Sequence, residues 1–314
     1  MASIVKAPLA CIHNPAVGRE AELGVGTLEP ASSPRRVAVV GGGPAGLRAA
    51  MVAAQRGHDV TLFERQEQLG GQVRWLAKVG AYREYAGIVD WLEDQVRRAG
   101  VDVRLGEMAS SHQLTNGAFD AAIVATGSTP LRTGWSALHP HRWGGDTTVP
   151  GADQWNVFTV EDVLARNVDI PRSVLVFDDV GGRQAAAVAE FLADHGHPVE
   201  VVTRLASVFP DLAASRDVGA THRRLRQLGV VFTRDRDLVA IEEDRVSLRD
   251  VHTSDVEVRE GVDSVVLVTG SSACDELLTE LIGSTLTVIG VGDCIAPRRI
   301  FNAVWEGEQA GRKI

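Results

Sequence analysis

No C-x-x-C pair occurs in this 314-residue sequence, and its three cysteines, Cys11, Cys274 and Cys294, stand apart from one another. Neither a disulfide framework nor a redox-active dithiol is therefore expected. A basic excess is also missing: 32 Lys and Arg face 41 Asp and Glu, for a formal net charge of −9. That balance repels phosphate backbones and anionic lipid, so no nucleic-acid and no membrane partner is expected. No apolar run approaches the roughly 20 residues of a membrane-spanning helix. The N-terminus shows neither the charged start nor the apolar core of a secretory signal, and the expected compartment is cytoplasmic. The length exceeds that of most single cores, so two domains are expected.

What the sequence does have is glycine in a chemical pattern. The stretch 36–64 opens with an apolar strand from Arg36 to Val40 and passes into Gly41, Gly43 and Gly46, with Pro44 and Ala45 between the last two. A helix of small residues follows, then Gly57, a second strand, and Glu64 followed by Arg65. This strand, glycine turn, helix and distal acid form the context in which G-x-G-x-x-G binds a dinucleotide. Gly41 makes the tight turn, Gly43 admits a pyrophosphate to the backbone, and Gly46 lets the helix pack closely. The helix N-terminus offers unpaired N–H groups and a positive dipole end. Glu64 accepts from ribose hydroxyls and repels a 2′-phosphate, so an unphosphorylated adenosine diphosphate moiety is expected.

Residues 1–35 carry no hydrophobic periodicity and read as an N-terminal arm holding the segment Cys11 to Glu20. Beyond Glu64, Gly70, Gly71 and Gln72 offer a second close backbone approach. A helix spans roughly Tyr82 to Ala99, with Ile88, Trp91, Leu92 and Val96 on one stripe predicted to be core. An apolar strand ends at Ala125, Thr126 and Gly127. Residues 128–171 read as a linker in which His139 and His141 are solvated rather than metal-bound, and Thr159 with Asp162 predicts a helix N-cap. A second strand–turn–helix–strand unit begins at Ser173. Its turn places Asp178, Val180 and Arg183 where the first has its three glycines. A carboxylate at about 5 Å from a phosphate charge, at an effective dielectric near 20, repels it by roughly 3 kcal/mol, so this unit is predicted to be structural. Short strands are expected around Val230, Val239 and Val246, then a strand from Asp263 to Val268. The chain closes with a strand, the Gly292-Asp293 turn and a terminal helix. Asp293 is placed to hold the ribityl hydroxyls of a flavin.

Together the glycine fingerprint, Glu64, the Ala-Thr-Gly turn, the interrupted second unit and Gly292-Asp293 resemble the two-dinucleotide-binding-domain flavoproteins. Four further pieces are similar to the C-terminal half of the trimethylamine dehydrogenase and 2,4-dienoyl-CoA reductase group, the old yellow enzyme-like iron–sulfur flavoproteins. They are CIHNPAVGRE from Cys11, LGGQ from Leu69, SVVLVTG from Ser264 and GDCIAPRRI from Gly292. The resemblance implies an α/β fold of two Rossmann-like domains, the second inserted into the first, with an extended N-terminal arm. The expected bounds are 1–35 for the arm, 36–165 plus 285–314 for an FAD- or ADP-binding domain, and 166–284 for a degenerate NAD(P)-like domain.

In that family an N-terminal TIM barrel carries FMN and the substrate, and a cysteine-rich segment binds a 4Fe-4S cluster. Cys11 resembles the last cluster cysteine, so the other ligands are expected from an FMN-binding TIM-barrel partner subunit. An idle thiol is the alternative. Three functional readings follow. The first is an FAD-binding electron-transfer subunit, its partner oxidising an N-methylated amine, with an electron-transfer flavoprotein or another protein as acceptor. The second is a non-redox ADP-binding scaffold. The third is a standalone NAD(P)H-dependent flavin reductase, with Arg204 receiving a 2′-phosphate. No residue shows an acid–base or nucleophilic role.

Overall fold

The computed structural model describes residues 10–135, 148–166 and 168–314. His139 and His141 lie outside the described residues. The chain divides into two units, one made of Met1–Ala77, Glu84–Thr129 and Ser272–Ile314, the other of Lys78–Arg83 and Pro130–Ser271. The second is therefore inserted into the first in chain order.

The first unit is built on a five-stranded parallel sheet in the order Thr287–Gly290, Ala121–Val124, Arg36–Val40, Asp59–Glu64, Asp102–Leu105. Its central strands are continuous apolar runs because both faces are covered. Val37 and Val39 pack with Leu47, Ala49 and Met51 of the following helix, whereas Ala38 and Val40 face Phe63, Leu114 and Cys294. This two-residue alternation divides one strand between two cores. In the ladder Val40 pairs with Phe63 on one side and Val124 on the other, so three strands end level with the glycine turn. The C-terminal edge of such a sheet is where ligands bind in open parallel α/β folds.

The terminal helix, Ile300–Lys313, lies on the nucleotide helix, Pro44–Gln55. A Cβ at Gly307 would stand 2.3 Å from the Ala45 carbonyl oxygen, and one at Gly311 2.6 Å from Val52 Cβ. Beside this contact the buried Glu308 accepts from Arg48 Nε and from Arg312 Nε, each at 2.7 Å. Both carboxylate oxygens are thereby used, which is what makes a buried charge tolerable.

In the second unit a parallel sheet runs in the order Val157–Thr159, Ser264–Val268, Val174–Asp178, Val199–Val202, Val231–Thr233. The helix Arg183–Asp194 follows its central strand. A separate antiparallel sheet joins Arg236–Ile241, Arg245–Asp250 and Val256–Glu260.

Four features depart from the sequence reading. The stretch 148–165 lies within the second unit, because Val157–Thr159 pairs with Ser264–Val268 and Thr159 and Asp162 form a capping box for the helix Val160–Leu164. The strand Val256–Glu260 has no counterpart in it. Trp91 is 42% exposed rather than core, lying beneath the Arg48 guanidinium at 5.8 Å, whereas Ile88, Leu92 and Val96 are buried. The described part of the arm is seated on the first unit: Ile12 and Leu28 pack on its core, and Ala16 is buried. Arg56 and Arg312 donate to the carbonyls of Glu29 and Thr27, at 3.0 and 3.1 Å. Helix-borne arginines thus supply partners that a chain without periodicity does not supply itself.

Candidate functional site

Each glycine of the first turn answers to a different neighbour. Gly41 has φ +108°, and a Cβ there would meet the Ala125 carbonyl oxygen at 2.2 Å. At Gly46 it would meet the Gly41 carbonyl oxygen at 1.9 Å, whereas at Gly43 it would meet nothing within 4 Å. Gly41 and Gly46 are thus demanded by the protein's own packing, and Gly43 faces open space at the start of a 12-residue helix whose N1 residue is Pro44. The first turn of a helix leaves its amide hydrogens without intrahelical partners, and the dipole favours an anion there. The arrangement therefore fits a diphosphate, and among the described residues no atom lies within 4 Å of where a Gly43 Cβ would stand.

Other segments close around that turn. Gly70 N donates to the Gly42 carbonyl at 2.8 Å, and a Cβ on Gly71 would lie 3.6 Å from Gly43 Cα. Glu64 is buried at the end of its strand, where it accepts from Gly42 N at 2.7 Å and from Gln66 N at 2.8 Å. The acid predicted to hold a ribose thus also braces the glycine turn. Arg65 beside it is exposed. Ala125 N donates to the Val40 carbonyl at 2.8 Å. Thr126 Oγ1 donates to the Cys274 carbonyl at 2.6 Å, and Gly127 O accepts from Cys274 N at 3.0 Å.

Gly292, with φ +69°, brings its turn against the nucleotide helix: a Cβ there would come within 2.9 Å of Ala45 Cβ. The next residue, Asp293, accepts from Arg298 N at 3.0 Å through Oδ1 and from Ser128 Oγ at 3.1 Å through Oδ2. Burial pushes its carboxyl above the ordinary range, against the pull of those two donors. Gln72 Nε2 donates to the Ser128 carbonyl at 2.8 Å and to the Ser128 hydroxyl at 3.2 Å. Gln72 and Asp293, both singled out in the sequence, are therefore joined through Ser128, which was not. Its only local signal is its place directly after Ala-Thr-Gly. The nearby Cys294 is buried, and its single thiol hydrogen is shared between the Val124 and Val291 carbonyls, each 3.1 Å from the sulfur.

The second unit's turn carries different chemistry. Its helix starts at Arg183 with Gly182 as N-cap, as the first starts at Pro44 with Gly43. Gly182 thus stands where Gly43 does, and the pairing of Val180 with Gly43 is corrected by two residues, because the strand runs on through Asp178 and the turn after it is one residue longer. Asp178 is fully buried and accepts from Gly181 N at 2.7 Å and Val180 N at 3.1 Å. Burial pushes its carboxyl up to about 7, with the neighbouring Asp179 adding to the shift. By that alignment Val180 and Gly181 stand where Gly41 and Gly42 do, whose N–H groups are likewise taken within the protein, by the Phe63 carbonyl and by Glu64; what sets the second turn apart is its pair of buried acids, Asp178 and Asp179. Arg204 lies with Nε 3.5 Å from Asp179 Oδ1, engaged within the protein.

Cys11 is half-buried. Among the described residues no three His, Cys, Asp or Glu side chains gather as a metal-holding group, so the described residues alone do not enclose an iron–sulfur cluster. Among them no helix is long and apolar enough to cross a membrane.

Residues 35–291 match the family model described as Pyridine nucleotide-disulphide oxidoreductase. N,N-dimethylglycine/sarcosine dehydrogenase of Chromohalobacter salexigens is 36% identical over 232 residues, which are 72% of this chain and 31% of that protein. NADH oxidase of Thermoanaerobacter brockii is 34% identical over 206 residues, 65% of this chain and 29% of that protein. The structure of histamine dehydrogenase from Rhizobium sp. 4-9 superposes with a TM-score of 0.90 at 27% identity, covering 97% of this chain and 48% of that one. The chain therefore spans about a third to a half of these proteins' lengths. With its glycine turn, distal acid and inserted second unit on the same α/β frame, the chain belongs to the pyridine nucleotide-disulphide oxidoreductase family, and it corresponds to the dinucleotide-binding half of flavoprotein oxidoreductases related to amine dehydrogenases.

Proposed function

We propose that this chain is the FAD-binding electron-transfer component of an amine-oxidising iron–sulfur flavoprotein. It works with an FMN-bearing TIM-barrel subunit and contributes Cys11 to a 4Fe-4S cluster shared with that partner. The observation that carries the choice of FAD is Asp293. Binding ADP requires only the glycine turn and Glu64, whereas a separate carboxylate held by Ser128 and Arg298, on a turn seated against Ala45, supplies an acceptor for polyol hydroxyls.

Bound FAD supplies a carrier of one or two electrons. The residues of this chain bind and orient it: the helix beginning at Pro44 takes the diphosphate, Glu64 takes a ribose, and Asp293 takes the ribityl chain. No side chain here is assigned a proton transfer, so removal of two electrons from substrate belongs to the partner. The relative named for dimethylglycine and sarcosine supports an N-methylated amine as the substrate class. An electron-transfer flavoprotein or a similar soluble acceptor completes the sequence.

The relative named NADH oxidase favours a second reading, in which this chain takes hydride from NAD(P)H. The two buried acids of the second turn, Asp178 and Asp179, oppose it.

The test is purification of the native complex followed by cofactor, iron and sulfide analysis. The expected result is one FAD per chain, with iron and sulfide present only when the partner is present. Cys11→Ser should lose the iron and keep the flavin. A chain that carries ADP without flavin absorbance supports the scaffold instead. A chain that is active alone and iron-free overturns the shared-cluster proposal.

A further inference from the structure

The hydrogen bonds around Ser128 have a direction that the atoms themselves determine. The Ser128 backbone carbonyl can only accept, so the Gln72 side-chain atom 2.8 Å from it is the amide nitrogen. That nitrogen can only donate, so at 3.2 Å the Ser128 hydroxyl accepts from it. The hydroxyl's own hydrogen is then free for Asp293 Oδ2, at 3.1 Å. Three segments distant in sequence thus form a one-way chain ending on one carboxylate oxygen. Ser128 is itself buried, so water does not readily replace its hydroxyl.

We propose that Ser128 is a positioning residue, oriented by Gln72, whose hydroxyl fixes Asp293 as a hydrogen-bond acceptor for a cofactor hydroxyl. The inference rests on the reading of Asp293 as a flavin-side residue, and it names the group that lets a partly buried carboxylate serve there. Burial disfavours the charged form of Asp293, and Glu306 nearby adds to that; the Arg298 amide, the Ser128 hydroxyl and the Arg298 charge oppose it. A protonated Asp293 would donate from one oxygen instead of accepting. The Ser128 hydrogen bond, with that of the Arg298 amide, therefore favours the form that accepts from a ligand hydroxyl.

The test uses the full chain stripped of cofactor, with 13C-labelled aspartate carboxyls and the Asp293 signal assigned by its loss in Asp293→Asn. Ser128→Ala should raise the Asp293 titration midpoint by about 1 to 2 pH units, the worth of one hydrogen bond to a charged group. Ser128→Thr, which keeps the hydroxyl, should return the midpoint toward the wild-type value. Gln72→Leu should also raise it, by less, because the hydroxyl is then free to rotate away. This variant keeps the test valid if Ser128→Ala does not fold. An unmoved midpoint in Ser128→Ala or, failing that variant, in Gln72→Leu overturns the proposal. FAD binding is measured separately: Ser128→Ala should weaken it about tenfold at a pH between the two midpoints, and Ser128→Thr should restore it. An affinity unchanged there also overturns the positioning role. If the wild-type chain binds no FAD, the flavin reading fails, and the cofactor-free titration still reports on Ser128 alone.

Discussion

Gly307 and Ala45 are in such close contact that a methyl group on the glycine would come within 2.3 Å of the alanine carbonyl oxygen. Two helices, Pro44–Gln55 and Ile300–Lys313, far apart in sequence therefore touch backbone to backbone. Gly307→Ala is expected to cost about 1 to 3 kcal/mol by overpacking, measured by urea denaturation. Gly219→Ala is the control. It sits in the helix Val218–Gln227 with nothing within 4 Å of its would-be Cβ, and it should stabilise by about 0.5 to 1 kcal/mol through helix propensity.

Gly41 and Gly43 should separate stability from binding. Gly41→Ala meets the Ala125 carbonyl at 2.2 Å in a left-handed backbone conformation, so it should lower the melting temperature clearly. Gly43→Ala meets no atom of the described residues within 4 Å. It should leave stability within about 0.5 kcal/mol while weakening FAD at least tenfold, read by flavin fluorescence on titration. Loss of both properties in Gly43→Ala would remove the diphosphate from that space.

Asp178 gives a pH dependence with a definite sign. Its carboxyl is pushed up to about 7 in the folded chain by burial, against roughly 3.9 for an unfolded aspartate. Between those values the folded state holds a proton that the unfolded state has released. The associated stability is full below about pH 4, declines as the pH rises through the window, and is gone above about pH 7. Relative to the wild type, Asp178→Asn should therefore gain stability from pH 4 to 8, by on the order of 2 to 4 kcal/mol. Denaturation curves that run parallel across that range would contradict the assignment.

Rapid mixing of the flavin-loaded chain with NADH or NADPH should give no prompt bleaching of the flavin. The second turn carries two buried acids, Asp178 and Asp179, whereas the first is a run of glycines, and negative charge there opposes a pyrophosphate. Prompt bleaching by either nucleotide would make the second unit functional and favour the reductase reading.

The parts of the site legible in the sequence were those made by neighbours in the chain. Gly41, Gly43, Gly46 and Glu64 lie within one strand–helix–strand unit, where spacing alone implies geometry. Ser128 was not legible, because its partners Gln72 and Asp293 are 56 and 165 residues away and no periodicity ties them. The second turn misled by two residues, since its strand runs one residue further than the paired glycines implied and the turn after it is one residue longer. Trp91 shows the limit of a helical stripe: i, i+3 spacing puts it beside the core, and the charge on Arg48 gives its ring a surface partner instead. The strand Val256–Glu260 did carry a signal, the Val-x-Val alternation on an antiparallel edge.

Besides the short excursion Lys78–Arg83, the chain passes between the units at 129/130 and at 271/272, and this pair of crossings is closed on each side separately. Within the first, Cys274 N bonds to the Gly127 carbonyl at 3.0 Å; within the second, Leu131 N bonds to the Gly270 carbonyl at 3.0 Å. A polypeptide that departs from and returns to adjoining points adds little loop-closure entropy however long the excursion, since that cost grows only as the logarithm of length. The inserted body could therefore be exchanged for one of another size, or removed across a short bridge, while the nucleotide-binding scaffold retained its own ladder.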